Sequence, residues 1–335
     1  MHVKEIFSDY ADELRVVDQD LLEIFSSNVF LIPTIGRHIL GSGGKRMRPL
    51  FLLQSADLCG YKGKDRTVLA AVIEAIHTAS LLHDDVIDGA DTRRGRPASH
   101  AIWGNQVVIL VGDFLYSKAL KIAVDQKNQA IMETLSDATT RMTEGEVLQL
   151  HKTGDPEITT DEYFQIIAAK TGVLISAACK IGAILAGRSD GSDEALARFG
   201  LKTGLAFQLA DDILDYTANE YALGKRLGKD LEEGKITMPL IQLLGVAPPA
   251  EQDEVKALIK RASSADEPVD RTKNNGKDIL GRITELLVKH RAIEESLGVA
   301  QGLVGEAKEA LRDFPPSPAK ESILLMADYA LQRDR

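Results

Sequence analysis

Cysteine and aromatic residues are scarce in this chain, and basic residues do not outnumber acidic ones. Two of its 335 residues are cysteine, Cys59 and Cys179, and aromatic residues make up 5%. Two cysteines are too few for a disulfide framework, so we expect a protein of the reducing cytoplasm. The net charge is −10, from 40 basic and 50 acidic residues. A nucleic-acid-binding protein held by a basic face is therefore not expected.

Long apolar runs are also missing. The N-terminal residues 1–14 (MHVKEIFSDYADEL) contain no apolar segment typical of a secretory signal. The longest mostly apolar stretch, 172–187, is interrupted by Lys180. It is shorter than the roughly 20 residues that a membrane-spanning helix requires. We therefore expect neither a secreted protein nor an integral membrane protein.

What the chain has instead is helical periodicity. Alternating β-branched runs bounded by turns are rare, and no hairpin is predicted. Short polar or acidic residues after Thr159 and from Ser192 indicate two helix starts. The polar stretch 262–278 is predicted to be a loop. Apolar residues recur at helical spacing through 5–26, 66–88, 105–124, 128–151, 160–186 and 193–217. These features predict an all-α fold, a large helical bundle, although the length alone favours about two domains.

Two acidic clusters share one internal spacing. Residues 84–88 read DDVID and residues 211–215 read DDILD, each at the end of an apolar helical segment. Carboxylates four positions apart project from one face of a helix, where like charges repel. Mg²⁺ binds such oxygen ligands, commonly with substrate phosphates. One cluster alone is more often a solvated helix end. If two such helices face each other, several Mg²⁺ ions held between them would bind a polyphosphate.

Basic residues flank both clusters. Residues 43–48 (GGKRMR) precede the first cluster, and residues 92–94 (TRR) follow it. Lys170 and Thr171 interrupt an apolar helix, and Gly/Lys-rich residues 224–235 follow the second cluster. Any one of these groups alone is more often a set of solvent-exposed residues without a binding role. Their placement beside the acidic clusters favours a diphosphate site. His77, seven residues before Asp84, fits either a phosphate ligand or a core histidine. No arrangement typical of serine or cysteine nucleophilic catalysis is present.

Taken in order, these motifs resemble the trans-isoprenyl diphosphate synthase family, the polyprenyl synthetases. The resemblance spans about 44–240 and includes GKRMRP, His77, DDVID, RRG, KT, FQLADDILD and the two GK pairs. It implies a bundle of antiparallel helices around a deep central cavity. It also implies a single domain over 1–335, against the estimate from length.

The resemblance implies a role for each matching residue. Asp84, Asp88, Asp211 and Asp215 would be the Mg²⁺ ligands, Asp215 also acting with Asp85 and Asp212 as a supporting group. The allylic diphosphate would be bound by Arg93, Lys170, Thr171, Gln208, Lys225 and Lys235. Isopentenyl diphosphate would be bound by Lys45, Arg48, His77 and Arg94, with Arg46 facing solvent. The catalytic set would comprise Asp84, Asp88, Arg93, Lys170, Asp211 and Lys225.

The family resemblance further implies a prenyltransferase. An allylic diphosphate such as farnesyl diphosphate would ionise, isopentenyl diphosphate would add to the cation, and a proton would leave without a dedicated protein base. The family also implies a cytoplasmic homodimer, and the apolar helix 105–124 is a candidate interface. The alternative to an enzyme is a non-catalytic subunit of a heteromeric prenyl synthase. A simple cation-binding bundle would leave the basic residues unexplained.

Product length depends on small residues before the first acidic cluster. Ala79 and Ser80 lie about one turn before Asp84, where an aromatic residue gives short products in the family. We expect Leu135 and Met132 to form the floor of a long pocket, although small residues also serve close helix packing. Residues 111–116 and 144–150 resemble the long-chain branch, so octaprenyl diphosphate is the expected product. Geranylgeranyl or farnesyl diphosphate synthesis is the alternative.

Overall fold

The structure is a computed structural model. It describes residues 2–89, 92–93, 95–188, 190–217, 228–262 and 275–332, without the side chains of 275–278. Two predicted substrate ligands, Arg94 and Lys225, lie outside the described residues.

Helices make up nearly all of the regular structure in the described residues. The first half of the chain forms α1 (Val3–Asp9), α2 (Ala11–Ile24), α3 (Leu31–Leu40), α4 (Met47–Leu58), α5 (Asp65–Ile87), α6 (Ser99–Trp103), α7 (Asn105–Asp125) and α8 (Gln129–Lys152). The second half forms α9 (Thr160–Ile167), a π-helical turn (Ala168–Gly172), α10 (Val173–Leu185), α11 (Ser192–Thr217), α12 (Lys229–Glu232), α13 (Met238–Val246), α14 (Pro249–Ala262), α15 (Asn275–Lys289), α16 (Ala292–Ala310) and α17 (Pro318–Tyr329). The predicted all-α class is confirmed.

Two local predictions need correction. The segment 5–26 forms two helices because the backbone leaves helical geometry at Tyr10, whose buried ring places its hydroxyl on Asp57 at 2.7 Å. A two-stranded antiparallel ribbon, β1 (Thr92–Arg93) and β2 (Arg96–Pro97), occurs where no hairpin was predicted. Strands of two residues are too short to produce an alternating pattern.

The helix starts follow the predicted chemistry in part. Thr159 caps α9: its hydroxyl accepts from the Glu162 N–H at 3.2 Å, and the Glu162 carboxylate accepts from the Thr159 N–H at 2.9 Å. At α11 the acceptor is Asp190, which binds the N–H and hydroxyl of Ser192 at 3.2 and 2.6 Å. The predicted loop 262–278 is partly helical, because Ala262 ends α14 and Asn275 begins α15. Its residues 263–274 lie outside the described residues.

The residue contacts divide the chain into two compact units. The first comprises Met1–Thr140, Leu174–Gly200 and Ala310–Met326, and the second comprises Arg141–Val173, Leu201–Glu309 and Ala327–Arg335. In the first unit α5 packs against α2, α4 and α7, and most of its apolar residues are fully buried. In the second unit α14 packs against α13 and α15. The single domain and the central cavity stay predictions.

One helical stretch, predicted from the periodicity of 160–186, is long and apolar enough to resemble a membrane-spanning helix. Because α9, the π-helical turn and α10 run on without a break, Thr160–Leu185 forms 26 helical residues with a window of mean hydropathy 1.5. By length and composition alone this stretch could cross a membrane. The same window is 72% buried, as core helices of soluble proteins also are. That the chain is not an integral membrane protein stays a prediction.

Candidate active site

The first acidic motif lies at the carboxyl end of α5. Asp88 is the C-cap, and its N–H donates to the Asp84 carbonyl at 2.8 Å. The Asp84 side chain is half-buried and that of Asp88 is exposed. The last turn of α5 contains no basic residue, although the negative end of the helix dipole favours cations there. Two carboxylates at this end would therefore be stabilised by a bound cation.

The middle aspartate of this motif has a different environment. Asp85 is 3% exposed, and both of its oxygens accept from Arg93 Nε, at 2.8 and 2.9 Å. Arg93 lies on β1 of the short ribbon, and the ribbon positions its guanidinium against Asp85. The contact uses one of the five N–H donors of Arg93. Asp85 is thus a buried anchor, in keeping with its predicted supporting role.

The prediction that Arg46 faces solvent is wrong. Its side chain is only 12% exposed, and it donates from Nε to Asp18 Oδ1 at 2.7 Å and from Nη1 to Glu74 Oε1 at 3.0 Å. Glu74 is a buried carboxylate of α5, and a buried charge needs an opposite charge beside it. The Glu74 side chain therefore draws Arg46 inwards.

The neighbours of Arg46 are the predicted isopentenyl diphosphate ligands. Lys45 is exposed, whereas Arg48 is half-buried and its Nε is fully buried without a hydrogen-bond partner in the described residues. Burial lowers the pKa of Arg48, and the charge of Glu74 opposes that shift. His77 is half-buried on α5, about one turn after Glu74. The first unit thus brings Arg48, His77 and the buried Glu74 to neighbouring elements.

The second acidic motif, on α11, repeats the pattern of the first. Asp211 is exposed and Asp212 is 4% exposed. Asp212 accepts from the Tyr163 hydroxyl at 2.6 Å and from Gln208 Nε2 at 2.8 Å. Burial raises the pKa of Asp212 to about 6, and these two hydrogen bonds oppose the shift. In each motif the first aspartate is more exposed than the second, which is anchored by a polar partner.

Asp215 organises the segment that follows. Its Oδ1 accepts from the Lys229 N–H at 3.2 Å and its Oδ2 from the Asp230 N–H at 3.0 Å. These bonds satisfy backbone donors at the start of α12. Burial raises the pKa of Asp215, and the backbone hydrogen bonds oppose the shift. Asp215 thus supports the start of α12, and its role at a metal site stays a prediction.

A pocket of about 90 Å³ in the second unit brings together three predicted substrate ligands, Lys170, Gln208 and Lys235. Besides Asp212, six polar residues line it that are not among the predicted ligands: Gln149, Lys152, Thr153, Tyr163, Asp230 and Thr237. Burial raises the pKa of the Asp230 carboxyl well above its usual range, and the nearby Asp212 and Asp215 add to the shift. Tyr163 precedes Lys170 by two helical turns, a spacing that could have identified it from the sequence.

Lys170 and Thr171 lie in the π-helical turn. Lys170 Nζ is 3.4 Å from Gln149 Oε1 and 3.8 Å from Glu146 Oε1, both on α8. The Thr171 hydroxyl donates to Gln208 Oε1 at 2.8 Å. Because Gln208 also donates to Asp212, the turn is connected to the second acidic motif. π-Helical turns within α-helices frequently occur at functional sites.

Two glycines allow neighbouring helices to approach this turn. A Cβ on Gly145 of α8 would lie 2.0 Å from the Cβ of Ala169, and a Cβ on Gly204 of α11 would lie 2.6 Å from the Cα of Gly172. Side chains at these positions would push α8 and α11 away. The glycines are therefore required to place Lys170 and Thr171 beside Gln149 and Gln208.

The predicted chain-length residues are all in the first unit. Ala79 and Leu135 are fully buried, and Met132 is half-buried. Ser80 is half-buried, and its hydroxyl donates to the His77 carbonyl at 2.8 Å. Burial of this kind fits close helix packing as well as a pocket wall, so the pocket stays a prediction.

Within the described residues, no group of three or more His, Cys, Asp or Glu side chains lies close enough to hold a metal ion. Mg²⁺ sites commonly use one or two carboxylates together with substrate phosphates. The carboxylates of Asp84 and Asp88 at the end of α5, and of Asp211 near the end of α11, are oxygen donors of this kind.

Known proteins are similar to this chain in sequence and in fold. A family model described as polyprenyl synthetase matches residues 30–275. The chain belongs to the polyprenyl synthetase family. It is 36% identical to the octaprenyl diphosphate synthase of Escherichia coli K12, over all of both chains. It is 38% identical to the all-trans-nonaprenyl-diphosphate synthase (geranyl-diphosphate specific) of Rhodobacter capsulatus, over 98% of each chain.

Solved structures give the same result. A polyprenyl synthase from Caulobacter crescentus CB15, complexed with calcium and isoprenyl diphosphate, matches with a TM-score of 0.90 and 37% identity. The match covers 99% of this chain and 98% of that one. This chain is therefore a prenyltransferase with the all-α isoprenoid synthase fold. Its relatives indicate long-chain trans-polyprenyl diphosphate synthesis.

Proposed function

We propose that this polyprenyl synthetase adds isopentenyl diphosphate, head to tail, to an allylic diphosphate such as farnesyl diphosphate, and that its product is octaprenyl diphosphate. The observation that carries the proposal is the shared design of the two acidic motifs. Each ends a helix, buries and anchors its second aspartate, and leaves the first more exposed. The octaprenyl product is supported by full-length similarity to the E. coli octaprenyl diphosphate synthase.

The donor set suits a hard divalent cation. Asp84 and Asp88, at the negative end of α5, and Asp211, near the end of α11, offer carboxylate oxygens with support from Asp215. We assign Mg²⁺ to these residues, and calcium accompanies isoprenyl diphosphate in the Caulobacter relative. When bound, Mg²⁺ neutralises the charge that develops on the departing diphosphate.

The chain's own cations share that task. Lys170, Lys235 and Arg93 would hold the allylic diphosphate, with Thr171 and Gln208 as polar partners and Lys225 from outside the described residues. Lys45, Arg48 and His77, with Arg94, would hold isopentenyl diphosphate. Positive side chains fixed before the reaction stabilise the leaving group without reorganisation. Apolar walls exclude water, and the released diphosphate takes the proton, so no side chain is assigned as the base.

The proposal extends to assembly and location. We expect a cytoplasmic homodimer of single-domain subunits with α7 in the interface. α7 carries the exposed apolar residues Ile109, Leu110 and Val124, and Leu110 is 66% exposed. Exposed apolar groups of this kind are common at protein interfaces.

Product analysis tests the proposal. The purified protein is incubated with radiolabelled isopentenyl diphosphate, farnesyl diphosphate and Mg²⁺, and the products are chromatographed against chain-length standards. We expect incorporation that chelation of Mg²⁺ abolishes and a main product of octaprenyl length. A main product of geranylgeranyl length would support the short-chain alternative. Incorporation only after a second subunit is added would support the non-catalytic partner.

A further inference from the structure

We propose that Arg46, Asp18 and Glu74 form a positioning cluster that fixes the isopentenyl diphosphate-binding segment 43–48 in its working conformation. This inference rests on the proposed assignment of Lys45 and Arg48 to isopentenyl diphosphate. It gives α2, which contains none of the sequence motifs, a part in substrate binding.

The backbone of Arg46 needs to be held in place. Arg46 is the N-cap of α4 and adopts φ 49° and ψ 42°, the left-handed region that non-glycine residues rarely occupy. Such a conformation persists only where surrounding contacts fix it. Here those contacts are the two ion pairs of the guanidinium, one to α2 through Asp18 and one to α5 through Glu74. The backbone conformation of Arg46 sets the direction of the chain on either side, and so the positions of the Lys45 and Arg48 side chains.

Glu74 connects the cluster to both neighbours in the site. Its side chain is 8% exposed and receives the Arg46 Nη1 hydrogen bond at 3.0 Å. The same carboxylate acts electrostatically on Arg48, whose buried Nε has no hydrogen-bond partner in the described part of the chain. Glu74 also lies about one turn before His77 on α5. One buried carboxylate thus links Arg46, Arg48 and the helix that carries His77.

A second buried arginine in the same unit provides a matched control. Arg66, with a side chain 9% exposed, pairs with Glu13 of α2 and Asp57 of α4. Arg66 therefore connects α2, α4 and α5 through two carboxylates. Arg46 connects the same three helices in the same way. Arg66 is an α5 residue whose guanidinium donates to Asp57, to the Tyr61 carbonyl and to Glu13, all outside segment 43–48. Loss of either arginine should destabilise the fold, but only loss of Arg46 should disturb that segment.

The experiment measures initial rates for Arg46→Met, Asp18→Asn and Arg66→Met, with each substrate varied while the other is saturating. For Arg46→Met we expect the KM for isopentenyl diphosphate to rise about tenfold, the scale of a lost contact of about 1.4 kcal/mol. For Asp18→Asn, which removes one of the two ion pairs, we expect a rise of about threefold. The KM for the allylic diphosphate should stay within about twofold in both variants, since only isopentenyl binding is disturbed.

Arg66→Met should lower the melting temperature at least as much as Arg46→Met and leave both KM values unchanged. The proposal is overturned if Arg46→Met keeps the wild-type KM for isopentenyl diphosphate, or if Arg66→Met raises it equally. If Arg46→Met does not fold, the KM of Asp18→Asn for isopentenyl diphosphate tests the proposal. The Asp18 side chain is 50% exposed, so the fold should tolerate its substitution. If the wild-type protein incorporates no isopentenyl diphosphate, the proposed function fails. Calorimetric binding of isopentenyl diphosphate to the same variants then decides on the cluster.

Discussion

At the scale of single residues, the second aspartate of each acidic motif is a structural anchor. Asp85 is held by Arg93 and Asp212 by Tyr163 and Gln208, and both carboxylates are buried. A buried carboxylate without such partners would be costly. The anchors fix the ends of two helices, so the neighbouring Asp84 and Asp211 are presented in a defined orientation.

The Tyr163–Asp212 hydrogen bond should therefore matter more than an ordinary surface bond. Tyr163→Phe leaves the buried Asp212 with one donor fewer, and we expect the free energy of unfolding to fall by about 1–3 kcal/mol. We also expect a higher KM for the allylic diphosphate, because Asp212 and Gln208 connect to Thr171. Chemical denaturation and initial rates measure both effects.

The chain offers a matched control for this change. Tyr61 donates to Asp65 at 2.9 Å on the surface, so Tyr61→Phe removes a bond of the same chemical kind. Its effect should stay within about 0.5 kcal/mol. Equal effects of the two substitutions would mean that burial of the Tyr163–Asp212 bond contributes nothing.

Ala79 tests the predicted chain-length pocket. Ala79→Tyr adds a large side chain about one turn before Asp84 and should shorten the products towards farnesyl or geranylgeranyl length. Product chromatography measures the shift, and circular dichroism checks that the fully buried site still folds. Ser80→Ala, which loses only a hydroxyl bonded to the His77 carbonyl, should keep the wild-type product distribution. An unchanged distribution in folded Ala79→Tyr would reject the pocket.

Some site residues have local motifs and some do not. Spacing and family resemblance indicated Asp84, Asp211 and Lys170 because their motifs are local, and their roles stay predictions. The burial of Arg46 was missed, because its partners Asp18 and Glu74 are each 28 residues away. Tyr163 was missed because its partner Asp212 is 49 residues away, although its two-turn spacing from Lys170 was a local signal.

At the scale of elements, the π-helical turn is held between two helices that come unusually close. Gly204 of α11 approaches the backbone of Gly172, and Gly145 of α8 approaches Ala169. This packing places Thr171 against Gln208 and Lys170 near Gln149. The turn can therefore present a cation and a hydroxyl in one orientation.

Gly204→Ala should disturb this arrangement. The new Cβ would lie 2.6 Å from the Gly172 Cα, and backbone cannot yield as a flexible side chain can. We expect a loss of about 1–3 kcal/mol in the free energy of unfolding, together with reduced activity. Thermal unfolding and the condensation assay measure the two.

Gly302→Ala is the control for helix propensity. Gly302 lies inside α16 with open space around its Cβ position, so alanine there should stabilise the protein by about 0.5–1 kcal/mol. Stabilisation by Gly204→Ala as well would contradict the close packing at the turn.

Elements were predictable where periodicity is long. Apolar spacing indicated α5, α7, α8 and α11 to within about two residues of their bounds, because each runs for five turns or more. The ribbon β1–β2 and the four-residue helix α12 were not predicted. Such short elements are determined by tertiary contacts, here Arg93 to Asp85 and the backbone bonds to Asp215.

At the scale of the whole molecule, family and fold agree. The motifs, the all-α class and the full-length similarity to polyprenyl synthases lead to the same prenyltransferase chemistry. Product length and subunit assembly could not be derived from the sequence in the same way. Both depend on the shape of apolar surfaces, which motif residues do not define.

The central claim is that the two acidic motifs act together, binding the allylic diphosphate through Mg²⁺. The most direct measurement is calorimetric binding of a non-reactive farnesyl diphosphate analogue, with and without Mg²⁺, to the wild type, Asp84→Asn and Asp211→Asn. We predict binding that requires Mg²⁺ and weakens by about a hundredfold or more in each variant, about 2.7 kcal/mol. Binding that is independent of Mg²⁺, or unchanged affinity in either folded variant, would contradict the claim.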